Sequence, residues 1–210
     1  MSHAELESPE PTPGAGIPAP VVRKRPKPGE RRVQILQALA TMLEQPGAER
    51  ITTAALAAKL EVSEAALYRH FASKAQMFEG LIEFIEQSVF TLINQITERE
   101  PPGPAQAGRI VGMLIQFAEK NPGMTRVMVG DALVFENERL QQRMNQFFDK
   151  VEASLKQCLR AADGATPTVE AQVRASVLTA FTVGRLQRFA RSGFKRVPSE
   201  HLDASLSRML

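Results

Sequence analysis

Residues 52–74 read TTAALAAKLEVSEAALYRHFASK. Thr52 or Thr53 can N-cap a helix that reaches about Leu60, and Ser63 can cap another from Glu64 to about His70. Ser73 then caps a long helix that begins at Lys74. Ala54, Ala55, Ala57 and Ala58 are small enough for two helices to cross closely. Leu56, Leu60, Val62 and Leu67 can fill the space between them and a preceding helix. Two helices on a tight turn, the second held away from the domain with its N-terminal residues free to enter a major groove, meet the physical requirement of a helix-turn-helix.

Outward from this run the pattern stays helical. Val33, Leu36, Ala40 and Leu43 are spaced by three or four, which predicts a first helix from Glu30 to a stop at Pro46-Gly47. A fourth helix runs from Lys74 to about Glu98 and a fifth from Ala105 to Lys120, ending at Asn121-Pro122-Gly123. Met124–Val129 and a piece around 132–135 together predict a sixth. A seventh spans about Asn137–Ala162, closed by Asp163-Gly164, and an eighth Pro167–Arg191, with Pro167 in its first turn and Gly193 after it. Pro198 opens a last short helix. No segment alternates as a strand does, so the expected fold is all-α. The expected domains are a Pro-rich tail with a basic arm over 1–29, a helix-turn-helix DNA-binding domain over 30–74, and a helical dimerisation and partner-binding domain over 75–210.

The charge is unevenly spread. Residues 1–22 hold three acids and no Lys or Arg; residues 23–74 hold ten Lys and Arg against five acids; residues 75–210 hold sixteen against fifteen. A basic segment beside a neutral one suits a nucleic-acid module joined to a regulatory one, and suits equally a basic surface kept for solubility. The arm Arg23-Lys24-Arg25-Pro26-Lys27 can follow a phosphate backbone or enter a minor groove, or remain a solvated tail. Runs between charged residues fall far short of the roughly 20 apolar residues a bilayer span needs. The first 22 residues lack the basic start and apolar centre of a secretory signal. The single cysteine, Cys158, fits a reducing cytosol, and the three histidines are too scattered for zinc. There is no phosphate loop, metal spacing or triad, so neither an enzyme nor a cofactor is expected.

Chemistry assigns roles within the motif. Ser63, Glu64, Ala65 and Tyr68 point towards the groove; Ala65 can touch a thymine methyl group. Glu64 can accept from cytosine or simply favour the helix N-terminus. Thr52 and Thr53 can bond phosphate through hydroxyls or helix-start amides. Tyr68, Arg69, His70 and Lys74 are the phosphate candidates, with a solvent-facing ion pair as the plain alternative for Arg69.

The Leu67-Tyr68-Arg69-His70-Phe71 run followed by Lys74 resembles the recognition-helix ending of the TetR family of DNA-binding proteins. The resemblance implies a TetR-like fold, with the tyrosine, histidine and lysine near phosphates. One position departs: the family commonly has Gly at the turn, and here Glu61 stands there. A left-handed backbone at Glu61 costs about 1–2 kcal/mol.

A closer resemblance, to the nucleoid occlusion branch of that family, rests on Arg50-Ile51-Thr52-Thr53, on Val62 to Phe71, and on Leu81-Ile82-Glu83-Phe84-Ile85-Glu86. It rests also on Lys120 to Arg126, Ala132 to Glu136 and Arg139 to Gln146, and it covers about Arg31 to Phe194. It implies a cytoplasmic, nucleoid-associated protein that binds palindromic double-stranded DNA as a homodimer, with higher order on DNA. It further implies that the DNA-bound form captures the C-terminal tail of FtsZ, the tubulin-like division protein, and antagonises its polymers. Carried over, the partner surface on helices four and five falls at Phe84, Met113, Lys120 and Asn121, with Leu92 in place of an arginine and Gln116 in place of a glycine. Core packing is the plain reading of Phe84 and Met113, and helix capping that of Lys120 and Asn121.

Helix eight presents Val173, Val177, Ala180, Phe181, Gly184 and Leu186, an apolar set that needs two neighbours and suits a four-helix dimer seam with helix seven or, as the plain reading, the core helix of a monomer. The alternative function is a ligand-responsive TetR-type repressor with a small-molecule pocket. Its usual aromatic polar anchors are missing, since there is no Trp and the one Tyr lies in the DNA module, although Phe and Met can line an apolar cavity.

Overall fold

The computed structural model describes residues 29–45, 50–161 and 168–210. The tail and arm, the Pro46-Gly47 stop, the Asp163-Gly164 end and Pro167 lie outside the described residues. The regular structure of those described is all helical, with no strand among them. In chain order they form α1 (Glu30–Leu43), α2 (Thr53–Lys59), α3 (Glu64–Tyr68), α4 (Lys74–Arg99) and α5 (Pro104–Lys120). These are followed by α6 (Pro122–Met128), a 3-10 turn (Asp131–Leu133), α7 (Glu138–Ala161), α8 (Thr168–Arg191) and α9 (Leu202–Met209).

The predicted sixth helix is two elements. Pro122 occupies a first helical turn, where its missing N–H is no loss, so α6 starts there and Asn121 serves both α5 and α6 as a cap. Gly130, at φ +83°, breaks α6 from the 3-10 turn. The expected fifth helix begins one residue early, at Pro104, for the same reason as α6.

α1, α2 and α3 close over Ile35, Leu39, Leu56, Leu67 and Phe71, all essentially buried. α4 leaves this unit and enters the body, where Leu81, Ile82, Ile85 and Val89 are fully buried among Ile110, Val111, Leu114, Phe147 and Leu178. Polar ties fix the long helices to one another. Arg143 on α7 holds Glu86 on α4 with two bonds, Nε to Oε1 at 3.2 Å and Nη2 to Oε2 at 2.6 Å, and the carboxylate beside it raises the guanidinium's pKa. Nearer the N-terminus of both helices, Arg139 meets Glu79 at 2.5 Å. α6 bears directly on α1: a Cβ built on Gly123 would lie 1.9 Å from the Ala40 carbonyl oxygen.

Gly193 ends α8 as expected. At φ +62° it donates to the Ala190 carbonyl while Phe194 donates to that of Phe189, a Schellman closure. On the outer face of α8, Val169, Val173 and Val177 are 74, 56 and 47% exposed, four residues apart, and Ala180 continues them. Leu186, in the same apolar set, is wholly buried and belongs to the core, nine residues on from Val177 and so on another side of the helix.

Candidate nucleic-acid interface

Thr52 caps α2, its Oγ1 accepting from the Ala55 N–H at 3.1 Å, and Ser63 caps α3 by accepting from Ala66 N–H at 3.3 Å. The turn between them is a Schellman motif. Val62 N–H reaches the Ala57 carbonyl at 3.0 Å, Glu61 N–H reaches that of Ala58 at 3.1 Å, and Glu61 sits at φ +53°. The left-handed conformation that a glycine usually supplies is therefore adopted here by a glutamate, at a cost in backbone strain. Of the four alanines of α2 only Ala57 is buried in the crossing; Ala54, Ala55 and Ala58 lie at the surface.

Leu67 anchors α3, and the rest of the helix stands proud. Ser63, Glu64, Ala65, Tyr68, Arg69 and His70 are all exposed, as is Thr52, while Thr53 is half-buried. Thr53 Oγ1 donates to Glu64 Oε2 at 2.6 Å. This bond ties the start of α2 to the start of α3 and engages both side chains in the free protein. Ser73 caps α4, accepting from Gln76 N–H at 3.2 Å, and Gln76 Oε1 accepts from Ala72 N–H at 2.9 Å, a reciprocal cap that fixes where Lys74 starts.

Three contacts at this face join residues far apart in sequence. Arg32 on α1 donates to the His70 carbonyl at 3.0 Å and lies 4.1 Å over the Phe71 ring, so α1 clasps the end of α3. Lys74 is paired with Glu136, which is only 10% exposed. Arg50, at the entrance to α2, stacks 5.8 Å from the ring of Phe135, itself 64% exposed. Phe135 and Glu136 thus touch the reading head from the body. Arg32, Arg50 and Glu136 were not among the sequence candidates. The Arg31-Arg32 pair in the basic segment was the available signal for the first.

The partner candidates separate. Met113 lines a groove of about 790 Å³ between α4, α5 and α9, together with Leu92, Ile96, Gln116 and Leu206. Phe84 is 47% exposed on α4, and neither it nor Lys120 nor Asn121 lines that groove. Asn121 Nδ2 donates to the Phe117 carbonyl at 2.8 Å, the capping role open to it, and Lys120 is exposed.

Residues 35–81 match the family model of bacterial regulatory proteins of the tetR family, and residues 105–209 match a tetracyclin repressor-like C-terminal domain of the SlmA-like type. The nucleoid occlusion factor SlmA of Idiomarina loihiensis is 51% identical over 177 residues, 83% of this chain and 90% of that protein. That of Vibrio vulnificus is 50% identical over 181 residues, 84% and 92% of the two. Among solved structures, a TetR transcriptional regulator from Legionella pneumophila superposes with a TM-score of 0.70 at 13% identity, covering 90% of this chain and all of that one. FadR from Bacillus subtilis, solved with stearoyl-CoA, gives 0.68 at 12%, covering 84% and 96%. These two show the fold; the sequence relatives show the family. With its exposed helix-turn-helix head on an all-helical body, the chain belongs to the SlmA nucleoid occlusion factors of the TetR family.

Proposed function

We propose that the chain is a sequence-specific DNA-binding nucleoid occlusion factor that acts as a dimer and, when bound to DNA, binds FtsZ and antagonises its polymerisation. The observation that carries the DNA reading is the exposure of one whole face of α3 above a buried Leu67. Residues 30–74 form the reader and residues 75–210 the dimerisation and partner-binding part. Ser63, Glu64, Ala65 and Tyr68 face the groove; Thr52, Thr53, Tyr68, Arg69, His70 and Lys74 hold phosphates. The Val169, Val173, Val177 stripe on α8 supports a two-fold seam, which would set two reading helices about 34–36 Å apart, one turn of duplex. Capture of the FtsZ tail at Phe84, Met113, Lys120 and Asn121 rests on the family relationship. The groove at Met113 supports it, and the substitutions Leu92 and Gln116 lie within that same groove.

Two measurements test the reading. Tyr68→Ala and Lys74→Ala should both weaken binding to all sites, and Lys74→Ala, which removes a cation, should also flatten the dependence of affinity on salt by about one unit of log-log slope. A mobility-shift titration that finds both variants unchanged removes those roles. Sedimentation of FtsZ polymer with the protein, with and without cognate duplex, tests the partner. Polymer yield should fall only when DNA is present, and an unchanged yield favours the ligand-responsive repressor.

A further inference from the structure

A second recess lies beside the C-terminal end of α8, away from the DNA face and the Met113 groove and next to Ala180, where the valine stripe ends. It has a volume of about 440 Å³ and is lined by Phe181, Arg185, Arg188, Arg196, Pro198 and His201 among others. That size suits a small molecule and not a duplex. From Ala171 to Ser199 the chain has no acidic residue, while it carries Arg174, Arg185, Arg188, Arg191, Lys195 and Arg196. Such a one-signed stretch is unlike the balanced remainder of the body.

The recess has a fixed part and a free part. Arg185 is held by the chain that follows α8: Nη1 donates to the carbonyls of Pro198 at 2.8 Å and Glu200 at 2.5 Å, and Nη2 to Ser205 Oγ at 3.0 Å. Its guanidinium lies 4.6 Å over the ring of Phe181. These bonds leave its charge uncompensated by any carboxylate. Arg188 and Arg196 are exposed, and no carboxylate among the described residues pairs with either. Glu200, on the rim, stands 3.9 Å from His201. Arg188, in the last turn of α8, complements the helix dipole. Arg196 lies beyond the helix, where the dipole gives it no such task. Three guanidinium groups therefore border one small cavity whose single carboxylate, Glu200, pairs with none of them.

We propose that this recess binds a small multivalent anion of the phosphate class, gripped by Arg188 and Arg196 over the fixed Arg185. Planar guanidinium groups match phosphate oxygens in pairs, and Phe181, Val197 and Pro198 limit competing water on the other wall. The recess is separate from the DNA face, because none of its residues belongs to residues 30–74.

Isothermal titration of the full-length protein at constant ionic strength tests it, with pyrophosphate, tripolyphosphate and ATP as probes and Arg188→Ala/Arg196→Ala as the variant. Both substituted side chains are exposed, and circular dichroism checks that the fold is kept. The wild type should bind at least one probe saturably, and the double variant about tenfold more weakly or not at all. Lys74→Ala should bind as the wild type does, which separates this site from the DNA face. ATP binding well above tripolyphosphate identifies a nucleotide as the source of the phosphate, and equal binding identifies free polyphosphate; either supports the proposal. No saturable binding overturns it, as when a second copy's carboxylates already neutralise the cluster. Equal binding by the double variant, or loss in Lys74→Ala, overturns it also.

Discussion

Lys74 is asked to serve two anions. In the free protein it meets the nearly buried Glu136, and on DNA it is proposed to meet a phosphate. An ammonium already neutralised gains less from a second partner, so Glu136 opposes the DNA-bound state. Glu136→Gln should tighten binding by about threefold, measured by fluorescence anisotropy at fixed salt. A weaker complex would instead make Glu136 a support that aims the lysine. At the turn, Glu61→Gly relieves a left-handed strain while freeing the unfolded chain, and should raise unfolding stability by about 0.5–1 kcal/mol in urea titration. The strain at Glu61 was legible in the sequence, because the motif fixes which residue must turn left. The Lys74–Glu136 and Arg32–His70 contacts were not. They join positions 62 and 38 residues apart, and no local spacing encodes such a pairing.

Helices were legible where a cap and a period agree. Thr52, Ser63 and Ser73 all cap as the sequence suggests. At Asn121-Pro122-Gly123 the end of α5 falls where the sequence puts it, but the start of α6 was set two residues late, because Pro signals an end and also suits a beginning. On α8 the sequence shows a helix with two apolar sides, and the structure divides them, Leu186 to the core and Val173 and Val177 to the outside. Composition marks a helix as buried on more than one side without saying which residue faces which neighbour. Between elements, the two-bond tie of Arg143 to Glu86 is partly buried and joins α4 to α7. Arg143→Ala leaves Glu86 without that partner and should lower stability by about 1–2 kcal/mol, read from the thermal unfolding midpoint and enthalpy.

For the whole molecule, the surface to test is the valine stripe of α8, the proposed two-fold seam. A charge placed there has nowhere to go in a tight two-fold seam. Val177→Asp, at a position already half-exposed in the single chain, should leave the helical signal intact and shift the sedimentation coefficient to that of a monomer. Affinity for a palindrome should fall at the same time towards that of one half-site, since the two heads no longer act through a shared body. Retention of the dimer would move the seam elsewhere.

The contact of Gly123 with Ala40 has a mechanical meaning. With no clearance for even one methyl group, α6 and α1 meet like a stop against a lever, so α6 has no room to move towards α1 without displacing it. An event in the body that pushed α6 towards α1 would press on the helix that clasps α3. Thermodynamic reciprocity follows: whatever factor an occupant of the body applies to the grip on duplex, the duplex applies in equal measure to that occupant.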